Sequence, residues 1–111
     1  MLISSKPIHG IAVLLVLCYG TSTQAAPDAQ QRQLSASCSA CHGTNGHSLG
    51  GTPVLAGLSR EHFIKQMQDF KSGARPATVM NKHARAYSDD EIEKLADFFS
   101  AQTRRHEDAP K

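Results

Sequence analysis

Apolar residues recur at helical spacing in two stretches of this chain. Phe63, Ile64, Met67 and Phe70 form the first stripe. Ser59 stands before it as a cap, Lys71 suits its last turn, and Gly73 can end it in a left-handed conformation. Ile92, Leu95, Ala96 and Phe99 form the second stripe. It opens with Ser88-Asp89-Asp90-Glu91, in which the Ser88 hydroxyl can take one free amide while Glu91 reaches back to another. Tyr87 and Ile92 are spaced as a hydrophobic staple around that cap. Acidic residues crowd this first turn, which suits the helix dipole.

The remaining segments are polar or broken. Gln31 to Ala40 has helical composition, with Leu34 as its main apolar residue, and Ala26 to Gln30 reads as a polar leader. Gly43 to Gly57 carries several glycines and Pro53, so it reads as a loop. Ala74 to Tyr87, broken by Pro76, is expected to be irregular, and Arg104 to Lys111 to be a frayed tail. No stretch alternates convincingly as a strand. The expectation is an all-α domain of three main helices with long loops. Such loops need a reason to be ordered in a small domain. A large prosthetic group that they wrap around would supply one.

The first residues follow a different pattern. Lys6 precedes an apolar run, "IAVLLVL" from Ile11 to Leu17, and small residues follow at Thr23 and Ala25. This is the layout of a secretory signal, with cleavage expected after Ala25 and Ala26 as the alternative. The run falls well short of the ~20 residues of a spanning helix, so no stable membrane span is expected after cleavage. Leu17 before Cys18 is not the small residue that a lipoprotein signal requires. Residues 1–25 are therefore read as signal and 26–111 as one exported domain, with a periplasmic location expected. The mature chain is small, and below ~80 residues or so a fold commonly needs a disulfide, a metal or another staple. A formal net charge of +2 gives no nucleic-acid footprint.

The staple is visible in "ASCSACHGT", Ala36 to Thr44. Cys38-Ser39-Ala40-Cys41-His42 is the C-x-x-C-H pattern of covalent c-type haem attachment. On a helical turn, the spacing puts both sulfurs on one side, where each can form a thioether to a haem vinyl group. The adjacent imidazole then meets the iron. Two other readings use the same residues. A redox dithiol would belong in a βαβ context, which the pattern lacks. A structural zinc needs four ligands, for which His47 or His62 would have to join; both read instead as solvated histidines. For the sixth iron ligand a thioether raises the reduction potential. Met67 falls on a buried stripe. Met80, in "RPATVMNKHA", stands far enough downstream to reach the opposite face, with His83 as its rival.

With these motifs in place, the sequence resembles the class I c-type cytochromes. "CSACHG", "GGTPVLAGL", "VM" and "YSDDEIEKLADFFS" occur in that family's order and span nearly the whole mature chain. The resemblance implies an all-α fold wrapped around one covalently bound haem c. It implies that the Pro53 carbonyl accepts the His42 N–H, that Leu55 and Leu58 line the haem pocket, and that Tyr87 and the last helix pack on the first. The segment "DFKSGARPATVMNKHARAYSDDEI" resembles more narrowly the monohaem cytochrome subunit of flavocytochrome c sulfide dehydrogenases. That implies an electron-transfer protein rather than an enzyme, receiving electrons from a flavoprotein. A soluble shuttle for another oxidase or reductase is the alternative. A haem protein with an open distal site, binding ligands or turning over peroxide, is the alternative of a different class. Lys65, Lys71, Arg75, Lys82 and Arg85 gather near the Met80 segment, where they could steer an acidic redox partner.

Overall fold

The computed structural model of the protein describes residues 26–108. The expected signal segment, with Cys18, and the last three residues of the expected tail lie outside them. Four α-helices run in order: α1, Ala29–His42; α2, Arg60–Ser72; α3, Met80–Arg85; and α4, Asp89–Ser100. Short 3₁₀ turns lie at Thr44–Gly46 and His106–Asp108. No strand occurs among the described residues, so the fold is all-α.

The core lies where α2 crosses α4. Ile92, Leu95, Ala96 and Phe99 have no solvent exposure, and Phe63 and Met67 are buried against them. The Phe63 and Phe99 rings stack with centroids 5.5 Å apart, and Phe98 meets Phe99 edge-on at 5.2 Å. Such aromatic pairs add to the area term of burial. The ends of these helices follow the sequence. Ser59 caps α2 by accepting from His62 N, and Gly73 ends it at φ 86°. Ser88 and Glu91 form the full capping box of α4. Arg60 ties the two helices on the outside, donating to both Asp97 and Glu93.

The first helix is longer than its composition predicts. Asp28 accepts from Gln31 N, and the Gln31 side chain accepts from Asp28 N, a capping box that extends α1 into the expected polar leader. Its apolar face is thin. Leu34 and the half-buried Cys38 are its packing residues on the core. A hydrogen bond of 2.6 Å between the Ser37 and Tyr87 hydroxyls ties it to the start of α4, and Lys94 of α4 donates to Gln30.

Two expectations need correction. The segment Ala74 to Tyr87 is not irregular throughout, because Met80–Arg85 forms α3. A helix of six residues has too few positions to show a period, and Val79 at its N-terminus offers no side-chain cap. Its anchor is Ala84, fully buried in the core cluster, and α3 packs on α2. Nor is the tail frayed up to Asp108. Arg104 donates to the Ala56 carbonyl, and the buried Asp108 pairs with His47 across the Gly43–Gly57 loop.

Candidate functional site: the Cys38-Cys41-His42 turn

The last turn of α1 carries Cys38, half-buried on the core, then exposed Cys41 and half-buried His42. Both thiols are free. Gly43 ends the helix at φ 77°, and a side chain there would collide with the His47 carbonyl. The chain then turns through Gly46, which is buried at φ 79°. A Cβ on Gly46 would fall 2.8 Å from Leu55 Cβ and 2.9 Å from both Ala56 N and the Phe99 ring. Glycine is required there because the loop backbone must pass this close to the core. The Gly46 carbonyl in turn accepts from Leu55 N at 2.9 Å, fixing the second half of the loop.

This loop orients the imidazole. The Pro53 carbonyl lies 2.7 Å from His42 Nδ1. A carbonyl can only accept, so Nδ1 carries a proton, and in the neutral ring the lone pair lies on Nε2. That is the tautomer of a metal-ligating histidine whose other nitrogen is held by a carbonyl. Thr52 adds a second clamp, donating to the Cys41 carbonyl at 2.6 Å. This contact was not read from the sequence, where a lone threonine carries no signal.

Burial raises the Cys38 thiol above its ordinary range, an effect that hydrogen bonding from Ser37 and Tyr87 only partly offsets. A redox-active dithiol needs the opposite, a thiol held low so that its thiolate can attack. Among the described residues no cluster of three or more His, Cys, Asp and Glu side chains could hold a metal ion. His62 is exposed, as expected. His47 is not the solvated histidine that its surroundings in sequence suggest. Its Nδ1 lies 2.6 Å from Asp108 Oδ2, and its side chain is 13% exposed. It stands apart from the cysteines as the partner of a buried carboxylate.

Leu55 and Leu58 from the loop, Ile64 and Phe70 from α2, Met80 from α3 and Tyr87 all stay half-buried around the core. These apolar side chains are available to pack against a further apolar group. Two free thiols on one helical turn, an imidazole with Nε2 free and this apolar rim fit a covalently held haem. Met80 is half-buried in the rim, whereas His83 on the same helix is exposed. Four of the five basic residues near Met80 are engaged within the protein. Lys65 pairs with Asp69 and Lys71 with Asp89, Arg75 lies 4.8 Å over the Phe70 ring, and Arg85 donates to the Lys71 carbonyl.

The chain is 40% identical over 73 residues to the cytochrome subunit of sulfide dehydrogenase of Chlorobaculum tepidum, covering 66% of each chain. It is 35% identical over 69 residues to cytochrome c-553 of Helicobacter pylori, covering 60% of this chain and 72% of that one. It is 35% identical over 94 residues to cytochrome c4 of Pseudomonas aeruginosa, covering 83% of this chain but 47% of that one. It thus spans about two thirds of the first relative and about half of the c4 protein. No family model matches. The fold, the motif and these relatives place the chain among the class I c-type cytochromes, the small electron-transfer haem proteins. The relatives are named as cytochromes and as a cytochrome subunit, which agrees with a carrier rather than an enzyme.

Proposed function

We propose that this protein is an exported single-electron carrier with one haem, joined through thioethers to Cys38 and Cys41 and ligated by His42 and Met80. The observation that carries this reading is the His42–Pro53 hydrogen bond of 2.7 Å beside two free thiols at the end of α1. When bound, haem supplies an iron that alternates between ferrous and ferric states. The protein's residues do the rest. Pro53 holds the imidazole and raises its basicity. Leu55 and Leu58, half-buried beside the core, would exclude water from a haem held there. Met80, as a thioether ligand, favours the ferrous state and so a higher potential. Its half-buried place in the apolar rim favours it over exposed His83. With His42 and Met80 both held, no position would be left open to activate a substrate.

Residues 1–25 act as a periplasmic export signal, and no helix among the described residues is long and apolar enough to cross a membrane. The name of the Chlorobaculum tepidum relative supports a place as the cytochrome subunit of a sulfide dehydrogenase; the electron donor proposed for it is a flavoprotein. The second version is a soluble shuttle for another oxidase or reductase; the c-553 relative, named as a cytochrome with no dehydrogenase in its name, is compatible with it. Co-purification with a flavin-containing subunit separates the two.

The test is expression with cytochrome c maturation machinery, followed by intact mass and absorption spectra. A chain starting near Ala26, heavier by one haem and low-spin with sulfur ligation, is the expected result. A chain without added mass would overturn the reading. Haem without the sulfur signature would move the function to ligand binding or peroxide turnover.

A further inference from the structure

The chain between α2 and Met80, Gly73 to Val79, is exposed at every residue. No burial holds it, yet it delivers Met80 to the rim of the core. Beside the Arg75 guanidinium over the Phe70 ring, the main side-chain tie is Asn81. Its Nδ2 donates to the Phe70 carbonyl at 2.8 Å and to the Arg75 carbonyl at 2.9 Å. Its Oδ1 accepts from Ala77 N at 2.7 Å. One amide thus ties the end of α2, two points of the loop and the first turn of α3. Arg75 N adds a bond to the Asp69 carbonyl at 3.0 Å, which closes the first half of the loop. Asn81 uses both of its donors and its acceptor within the protein, and no other side chain can match that set in the same volume. Aspartate, its isostere, would lose both donors and set a carboxylate against two carbonyl oxygens.

We propose that Asn81 is the positioning residue that holds the Met80 thioether on the iron. It touches neither the sulfur nor the haem and acts through the loop backbone that fixes the start of α3. The proposal rests on the reading of Met80 as sixth ligand. It sets how readily that ligand comes off. Sequence alone did not show this, because the three partners of Asn81 are backbone groups.

The test uses the mature holoprotein and its Asn81→Asp variant, both ferric, titrated with imidazole as a competitor for the sixth position. Losing two hydrogen bonds and gaining a repulsion should tighten imidazole binding by about tenfold to a hundredfold. The sulfur-to-iron absorption band should weaken in the same variant. A purely structural role would lower the thermal midpoint and leave imidazole affinity unchanged, and that result would overturn the proposal.

A measurement on the unaltered holoprotein covers the case of a variant that does not fold. By linkage, displacing Met80 with imidazole should loosen the Asn81 network. Hydrogen exchange at the Ala77 amide should then quicken about tenfold or more; unchanged exchange counts against the proposal. Absence of the sulfur band in the unaltered protein would overturn the Met80 reading and this proposal together. Its presence, with wild-type imidazole affinity in Asn81→Asp, would overturn this proposal alone.

Discussion

The Asp108 carboxylate is 1% exposed and sits 2.6 Å from His47 Nδ1. Contact with His47 and a bond from Arg105 N hold its carboxyl below the ordinary value of 3.8, against the opposing effect of burial. A carboxyl lowered on folding adds stability that is fully present above its unfolded pKa. That stability is lost as pH falls through the folded value. Thermal midpoints taken from about pH 7 down to about pH 3 should therefore drop more for wild type than for Asp108→Asn. Parallel curves would show that the pair contributes nothing. Among the described residues, Arg105, paired in turn with Glu107, is the other charged group beside this carboxylate. The residues of the candidate site were legible because their chemistry is local: Cys38, Cys41 and His42 announce themselves by spacing. The His47–Asp108 pair spans 61 positions. Neither partner stands in a motif, so His47 read as a solvated histidine and Asp108 as part of a loose end.

Helices with strong boundary chemistry were read nearly residue for residue. Ser59 and Gly73 bracket α2, and the Ser88–Glu91 box starts α4, where sequence placed them. Ser88→Ala should cost about 1 kcal/mol in urea unfolding of the holoprotein, the usual worth of such a cap. A change within error would show that α4 is held by packing alone. The two misjudged elements lack what a periodic reading needs. The third helix, α3, is too short for a stripe, and the fourteen residues of α1 bring few apolar side chains to the core. Even so, Asp28-x-x-Gln31 was a capping pattern open to reading. The thin face of α1 has a consequence for assembly. Most helix stability in proteins comes from packing an apolar face, and α1 would have little to pack until the proposed haem is joined to its thiols. Replacing Cys38 and Cys41 together by alanine should therefore cost far-UV helicity on the scale of α1. The hydrogen-exchange protection of α2 should outlast that of α1. Full retention of α1 in that variant would show that its cap and the Ser37–Tyr87 bond suffice.

For the whole molecule, charge decides how a partner is met. The formal net charge is only +2, so any steering must come from local arrangement rather than from the total. Of the basic residues near Met80, Lys65 and Lys71 are offset by Asp69 and Asp89. Arg75, Lys82 and Arg85 have no carboxylate partner among the described residues, and all three are exposed. Three cations around one edge make a weak positive field that salt screens beyond ~10 Å at about 0.1 M. Reduction of the ferric protein by an anionic iron chelate should therefore slow with added salt, by less than about tenfold across the accessible range. A cationic reagent of similar potential should speed up over the same range, because its repulsion is screened. Reversing Lys82 and Arg85 to glutamate should exchange the two trends if these residues steer. If both reagents respond to salt alike in wild type, the basic edge is only a solvated face. Docking would then rest on the apolar contacts of exposed Val79, next to the proposed ligand.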